Sequence, residues 1–105
     1  MLKVPKIRSE KHRRFIAGLP CVYCRKSPCQ AAHIRHGLAG GMGLKPCDSL
    51  CVPLCPDCHE IQGRSERKFW DRFGGGVDGA KKLARGLYKV TGDNIAGLEL
   101  IARFR

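Results

Sequence analysis

The sequence predicts a single small α+β domain, and three observations favour this fold class. The chain has 105 residues, which suffices for one compact domain and is too short for two conventional ones. Hydrophobic residues make up 43% of the chain, enough for a small core. Two short apolar stretches typical of strands lie among stretches of helical periodicity, with a Cys-x-x-Cys motif on either side of them. We therefore expect residues 1–105 to fold as one domain.

The first predicted element is a short helix with sequence signals at both ends. Ser9 is a favourable N-cap and Gly18 a favourable end, so we expect a helix over residues 10–17. Residues 1–8 precede it and combine Pro5 with lysine and arginine but have no apolar period. This segment is therefore predicted to be a basic arm.

Two strands and four further helices follow along the chain. A glycine-rich segment over 36–43 predicts a loop between the strands, and it lacks the Gly-Lys-Ser/Thr ending of a phosphate-binding P-loop. Pro53 is compatible with the end or edge of a strand, and Asp78 is the expected N-cap of a later helix. The predicted strands cover 29–34 and 50–54, and the predicted helices cover 56–62, 65–73, 78–89 and 94–104.

A run of glycines at 74–76 separates a predicted core from a C-terminal pair of helices. We expect residues 9–73 to form the core and residues 77–105 to form the helical pair. Trp70 is predicted to lie in the core rather than to stack on nucleic-acid bases. The other apolar positions predicted to face inward are Phe15, Ile16, Phe69, Phe73, Ala80, Leu83, Ala84, Leu87, Ile95, Leu98 and Ile101.

The chain is strongly basic, with 20 Lys and Arg against 9 Asp and Glu, a formal net charge of +11 and a pI near 9.8. Cations placed near phosphates release condensed counterions, so this composition favours a polyanionic partner, and we expect nucleic acid. The sequence has no run of about 18 apolar residues and no apolar secretory segment at its start. We therefore expect a cytoplasmic protein with no membrane partner and no small-molecule substrate.

Seven cysteines in a chain without a secretory signal argue against a disulfide framework. Four of them form two Cys-x-x-Cys motifs separated by 30 residues, and two such motifs can complete a tetrahedral zinc site. The predicted ligands of this structural zinc are Cys21, Cys24, Cys55 and Cys58. A thiol redox function is disfavoured because no thioredoxin-like βαβ pattern is present. Cys51 is expected to be a small buried hydrophobe, and Cys29 and Cys47 have no assigned role.

The positions of two histidines relative to these elements indicate a catalytic site. His33 lies near the end of the first predicted strand, and His59 directly follows Cys58 on the helix that the zinc would anchor. The ββα-metal nuclease site has this plan: a strand, a loop, a second strand and a helix, with histidines at these two places. In that plan the strand histidine takes a proton from the attacking water, while the helix histidine helps to hold a divalent ion.

Five segments of the chain resemble the small zinc-containing HNH endonucleases of phages and prophages, whose relatives include phage recombination-enhancement nucleases. They are 19–24 (LPCVYC), 28–35 (PCQAAHIR), 43–48 (GLKPCD), 52–59 (VPLCPDCH) and 66–70 (ERKFW). The resemblance extends over residues 9–104. It implies a small ββα-metal (HNH) core, stabilised by a structural zinc and flanked by N- and C-terminal helices.

The same resemblance implies a metal-dependent endonuclease that acts on DNA in the cytoplasm of a bacterial or phage-infected cell. It also assigns roles by position. It implies His33 as general base, His59 as a ligand of the catalytic ion and Asp48 as the middle residue of the H-N-H triplet. In the family, the side chain at the Asp48 position usually bonds to loop backbone and steadies the base. The catalytic ion is expected to be Mg²⁺ or a transition metal. The structural zinc positions of the family match Cys21, Cys24, Cys55 and Cys58.

One position departs from the family pattern. Gly63 lies one helical turn after His59, where the family has a histidine that would face the same ion. Either Gln62 or a nearby carboxylate serves as a substitute ligand, or the chain is a weakly active or inactive DNA-binding and recombination accessory protein of the same fold. The sequence alone leaves both alternatives open.

Several basic side chains near the predicted site are candidate phosphate contacts. They are Arg35, His36, Lys45 and Arg64. Nothing in the sequence resembles the recognition helix of a sequence-specific DNA-binding protein, so we expect binding dominated by phosphates. His12 has no assigned role.

Overall fold

The computed structural model describes residues 9–34, 48–73 and 75–104, and these residues have the mixed α+β architecture predicted from the sequence. Their elements are α1 (Glu10–Ala17), β1 (Gln30–His33), a short 3-10 helix (Asp48–Leu50), β2 (Cys51–Leu54), α2 (Pro56–Arg64), α3 (Glu66–Asp71), α4 (Gly76–Lys89) and α5 (Asn94–Arg103). The predicted arm and glycine-rich loop lie outside the described residues, as do Arg35, His36, Lys45 and Cys47. No helix in the described ranges combines the length and apolar character needed to cross a membrane.

The two strands form an antiparallel ribbon at the centre of the domain. Gln30 pairs with Leu54 and His33 pairs with Cys51. The backbone N–H of Ile34 donates to Leu50 O at 2.9 Å, which extends the pairing toward the 3-10 helix. Every residue of β2 is buried. A two-stranded ribbon is marginal by itself, so its stability depends on the helices packed around it.

The first helix has the bounds that the sequence predicts. The hydroxyl of Ser9 accepts from the backbone N–H of His12 at 3.1 Å, as expected of an N-cap. The helix ends before Gly18, whose N–H donates to Arg14 O at 3.1 Å in a right-handed conformation. Ile16 is completely buried, so α1 packs its apolar side against the core.

The later helices match the prediction in number and order but not at every end. The second helix extends to Arg64, two residues beyond the predicted end, and Ser65 separates it from the shorter α3. The fourth helix begins at Gly76, so the prediction that Asp78 is its N-cap is wrong. Asp78 lies in the first turn, where a carboxylate is stabilised by the positive end of the helix dipole.

Aromatic rings hold α3 against the first cysteine motif and the C-terminus. Trp70 is completely buried, which confirms its predicted place in the core. The Tyr23 and Phe69 rings stack with their centroids 4.2 Å apart, and the Phe69 and Trp70 rings meet edge to face at 4.8 Å. The Phe73 and Phe104 centroids are also 4.8 Å apart. These aromatic contacts therefore join the first Cys-x-x-Cys motif to the end of α5.

The packed face of α5 differs from the predicted one. Ile95 is 71% exposed and Leu98 is 46% exposed, so the prediction that both face inward is wrong, whereas Ile101 is completely buried. The close contact is made at Gly97, where a Cβ atom would lie only 3.0 Å from Phe15 Cζ. A glycine lets α5 approach α1 there, and this rotates the two apolar side chains toward solvent.

His12 is completely buried between α1 and the turn after α4. Thr91 donates its hydroxyl proton to Tyr88 O at 2.7 Å, so its oxygen accepts from His12 Nδ1, which lies 2.7 Å away. Burial lowers the pKa of His12, against a smaller opposing effect of the Asp48 carboxylate. The His12 ring is therefore neutral at pH 7. Its hydrogen bond with Thr91 joins α1 to the turn between α4 and α5.

Replacing Trp70 by alanine is expected to lower the free energy of unfolding by about 3–5 kcal/mol, the usual cost of removing a buried aromatic side chain. Urea denaturation followed by far-UV circular dichroism measures this change. The exposed neighbour Lys68 provides a control, because Lys68→Ala should change the stability by less than about 0.5 kcal/mol. Equal losses in the two variants would contradict the role of Trp70 in the core.

The buried His12 ring is expected to make the protein less stable in mild acid. The unfolded chain protonates this ring near pH 6.5, whereas burial keeps it neutral in the folded chain. Stability is therefore lost as pH falls through 6.5 toward the lower folded-state pKa. One such proton contributes a slope of at most about 1.4 kcal/mol per pH unit.

Urea denaturation of wild type and His12→Gln between pH 7.5 and 5.5 measures this slope. The variant lacks the titrating ring, so its stability should fall less steeply with pH than that of the wild type, whatever its stability at pH 7.5. Parallel pH profiles for the two proteins would show that His12 has no part in the acid sensitivity.

Candidate metal centre and histidine cavity

The four cysteines of the two Cys-x-x-Cys motifs converge at one point. Their sulfur atoms all lie within 4.8 Å of one another. Cys24 Sγ and Cys55 Sγ lie 3.5 Å apart. Four thiols in this arrangement could bind a metal ion such as zinc. We call this group, Cys21, Cys24, Cys55 and Cys58, the four-cysteine cluster.

Local backbone geometry explains how each motif presents its two sulfurs. In the first motif, Arg25 adopts a left-handed φ of 68°, and its N–H donates to Cys21 O at 2.9 Å, closing a tight turn. In the second motif, Cys55 is the N-cap of α2 and Pro56 begins the helix. Cys58 then lies in the first helical turn. The cluster therefore joins a loop turn to the start of α2.

Binding of a metal ion to the four-cysteine cluster would release protons from its thiols. Burial alone would raise the pKa of Cys21, but backbone N–H groups, first that of Cys24, outweigh it and bring this pKa to about 7. Burial raises the pKa of Cys24 and of Cys58. A zinc ion binds thiolates, so the cluster suits a soft divalent cation that displaces these protons.

The two other described cysteines lie outside the four-cysteine cluster. Cys29 is buried, and its thiol donates to Lys26 O at 3.2 Å. Burial raises the pKa of Cys29 to about 12, so it remains a thiol. Cys51 is completely buried, as expected, but its sulfur lies within 4.8 Å of ligand atoms of His33 and Asp48. Cys51 therefore lies beside the side chains of His33 and Asp48.

Purified wild-type protein is expected to contain about one zinc ion per chain, and Cys55→Ser should lose most of it. Cys29→Ser is the matched control, because serine can keep the hydrogen bond to Lys26 O and the residue is outside the cluster. Metal analysis of freshly purified proteins by mass spectrometry measures the zinc content. Wild-type protein without zinc, or equal losses in both variants, would contradict a four-cysteine zinc site.

A completely buried carboxylate orients the imidazole of His33. Asp48 Oδ1 lies 2.9 Å from His33 Nε2. Its other oxygen accepts from the backbone N–H of Ser9 at 2.6 Å and lies 3.6 Å from Arg13 Nε. The family resemblance implied an indirect role through loop backbone, and the structure adds a direct contact with the ring. Nε2 therefore carries the proton, which leaves Nδ1 as the basic nitrogen of a neutral His33 ring.

A strand residue orients the imidazole of His59. Gln30 Oε1 lies 2.7 Å from His59 Nδ1. An amide oxygen only accepts, so Nδ1 donates and the lone pair of a neutral His59 ring is on Nε2. Partners of this kind fix the tautomer of metal-ligating histidines. Nothing in the sequence pattern pointed to Gln30, because a lone glutamine on a strand has no characteristic spacing.

The two histidines and an acidic side chain line one cavity of about 410 Å³, which we call the histidine cavity. Its lining residues are His33, His59, Gln62, Gly63 and Glu66. Gln62 is only 4% exposed, and its amide donates to His33 O at 3.2 Å and to Glu66 Oε2 at 2.6 Å. The predicted residues at 33 and 59 thus share a cavity, and Glu66 is an addition that the sequence analysis did not single out.

Two further predicted positions can be located relative to this cavity. Gly63 lines it, and the described residues leave this position open, because a Cβ atom at Gly63 would meet none of their other groups within 4 Å. Arg64 is exposed and forms a 2.7 Å ion pair with Glu60, one turn earlier on α2. Arg64 does not line the cavity, although its guanidinium is accessible at the surface. A phosphate contact by Arg64 would therefore lie outside the cavity.

Comparison with known proteins places the chain in a family. A family model described as "Protein of unknown function (DUF968)" matches residues 1–87. The chain belongs to the DUF968 family. It is also 35% identical over 77 residues to "Uncharacterized protein YdfU" of Escherichia coli (strain K12). That match covers 70% of this chain and 22% of YdfU, so this DUF968 chain spans about a fifth of the length of that relative. No solved structure matches the chain.

Proposed function

We propose that this protein is a metal-dependent endonuclease of the HNH class that hydrolyses phosphodiester bonds in DNA. The observation that supports the proposal is the histidine cavity, in which two imidazoles from different elements face one space. Each ring has one nitrogen held by a neighbouring side chain, Asp48 for His33 and Gln30 for His59. A histidine that only fills space in the core needs neither a partner that orients its ring nor access to a cavity.

In this proposal His33 is the general base. The Asp48 carboxylate accepts from Nε2, so Nδ1 takes the proton from the water that attacks phosphorus. The imidazolium that forms is stabilised by the negative charge of Asp48, which is buried and therefore weakly screened. Asp48 holds the ring in one tautomer throughout, as the carboxylate does in a Ser-His-Asp triad.

The residues of the histidine cavity suit a hydrated divalent cation. His59 offers Nε2, and an imidazole and oxygen donors are compatible with Mg²⁺, Mn²⁺ or another transition-metal ion. When bound, such an ion would stabilise negative charge on the phosphate and on the departing 3′ oxygen. His59 is held in place by Gln30 and by the position of Cys58 in the first turn of α2.

Charge supplies the proposed affinity for DNA. The net charge of +11 favours phosphate binding and predicts that affinity falls steeply as salt concentration rises. On α4 the exposed basic side chains are Lys82, Arg85 and Lys89. Arg64 offers a further exposed cation outside the cavity, and Arg35, His36 and Lys45 remain candidate phosphate contacts from the sequence.

The four-cysteine cluster serves a structural zinc in this proposal. The cluster joins the turn at Cys21 and Cys24 to the start of α2. Because His59 directly follows Cys58, a zinc ion there would hold the His59 ring against β1. The zinc would thereby stabilise the cavity without taking part in the reaction.

A second candidate function is a non-catalytic DNA-binding accessory protein of the same fold. The observation that favours it is the open space at Gly63, since a glycine supplies no ligand to an ion in the cavity. In that case the basic surface and the four-cysteine cluster would be functional, and the histidine pair would have no reaction to perform.

Nicking of supercoiled plasmid DNA with Mg²⁺, with Mn²⁺ and without added metal tests the proposal. Wild-type zinc-loaded protein is expected to nick DNA when a divalent ion is present. His33→Ala should reduce the rate by about 10²- to 10⁴-fold through loss of the base. Asp48→Asn should also reduce it, because the amide has no negative charge and its NH2 group can donate to the ring and favour the wrong tautomer. Glu99→Gln, an exposed change on α5, is the control and should keep the wild-type rate.

The outcomes separate the two candidate functions. DNA binding without nicking in any metal would favour the accessory protein and contradict the nuclease. Nicking that His33→Ala leaves unchanged would contradict the assigned base. Zinc content and circular dichroism of each variant must match the wild type, so that a lost activity reports on the reaction rather than on folding.

A further inference from the structure

We infer that Glu66 is a ligand of the divalent ion in the proposed nuclease site, where it takes the place of a histidine at Gly63. This inference rests on the proposed function for the identity of the site but makes a separate claim about ion binding. Glu66 supplies a carboxylate to the same cavity that His33 and His59 line. The ion would then be held by His59 Nε2, by Glu66 and by water.

Glu66 lines this cavity from the junction of α2 and α3. The second helix ends at Arg64, Ser65 is extended with φ −160° and ψ 84°, and the third helix begins at Glu66. Glu66 lies three residues after Gly63 and seven after His59, and all three residues line the cavity.

Gln62 holds the Glu66 carboxylate in position. Its amide nitrogen lies 2.6 Å from Glu66 Oε2 and 3.2 Å from His33 O, so one hydrogen is available for each acceptor. The side chain is 4% exposed, which leaves it little freedom to rearrange. The carboxylate is therefore tied to the backbone of β1, beside the proposed base. A carboxylate has about four lone-pair positions, so this bond is compatible with ion binding.

The open position at Gly63 is consistent with a carboxylate ligand at the edge of the cavity. Gly63 lines the cavity together with His59 and Glu66, and a Cβ atom built at Gly63 would meet no other group of the described residues within 4 Å. An imidazole and a carboxylate form a harder donor set than two imidazoles. Oxygen donors favour Mg²⁺ and Mn²⁺, so Glu66 also indicates which class of ion this site takes.

Binding of Mn²⁺ to zinc-loaded protein tests the inference without any requirement for catalysis. The electron paramagnetic resonance signal of free Mn²⁺ reports the bound fraction during a titration. Glu66→Gln is expected to weaken binding by about 10- to 100-fold or more, because even outer-shell partners of metal ligands change affinity by that factor. Glu60→Gln is the control and should stay within about twofold, since Glu60 is exposed on α2 and does not line the cavity.

A second measurement uses the wild-type protein, so that it does not depend on the folding of a variant. Bound Mn²⁺ broadens nuclear magnetic resonance signals of nearby atoms. In a ¹H–¹⁵N spectrum, the amide signals of Gly63 and Glu66 are expected to broaden at the lowest Mn²⁺ concentrations, before those of Ile95 and Leu98 on α5. Broadening that begins elsewhere, or no Mn²⁺ binding by wild-type protein, would overturn the inference.

The results also separate this inference from the proposed function. Weak Mn²⁺ binding in Glu66→Gln supports the ligand, even if wild-type protein fails to nick DNA and the nuclease proposal is lost. Binding that Glu66→Gln leaves unchanged but His59→Ala weakens would overturn the assignment of Glu66 and keep the proposed site. Equal binding by wild type, Glu66→Gln and Glu60→Gln would likewise overturn it.

Discussion

The buried carboxylate of Asp48 is the constraint on which the arrangement of the described residues depends. It has no exposed surface, and a buried charge is stable only when nearby groups compensate for its lost hydration. The compensating groups come from separate parts of the chain: the N–H of Ser9, the guanidinium of Arg13 and the ring of His33. The start of α1 and the end of β1 must therefore meet at the 3-10 helix. The ring that we propose as a base is positioned by this same requirement.

A second constraint operates at the four-cysteine cluster. The two strands are too short to be stable alone, and the four-cysteine cluster brings the turn before β1 to the helix after β2. Aromatic packing around Trp70 adds the third and fifth helices to this unit. The histidine cavity lies between elements held by these contacts, so its shape follows from interactions that are outside it.

The sequence predicted the features that have a characteristic spacing or a local end signal. The paired cysteine motifs predicted which four thiols meet, and Ser9 and Gly18 predicted the bounds of α1. The two histidines were predicted to be close because a metal-binding motif connects their elements, and they line one cavity. The predicted nuclease chemistry at that cavity remains a proposal.

The features that the sequence did not predict depend on contacts between distant residues. Gln30 and Glu66 have no periodicity that distinguishes them from solvent-exposed polar residues, and only the packing of β1 against α2 and α3 gives them a role. The predicted inward face of α5 is wrong because α5 approaches α1 closely at Gly97. An apolar pattern does not mark a glycine as a contact position. Asp78 was assigned to the wrong helix position because an acidic residue is favourable both as an N-cap and in the first turn.

Two adjacent residues of α2 serve two different sites. Cys58 belongs to the four-cysteine cluster and His59 lines the histidine cavity. Neighbouring side chains on a helix point about 100° apart, so the axial rotation of α2 is fixed by two demands at once. One residue inserted or deleted between the helix start and Cys58 would rotate both side chains by about 100° relative to the helix start. The length of the first turn of α2 is therefore set jointly by the four-cysteine cluster and the histidine cavity.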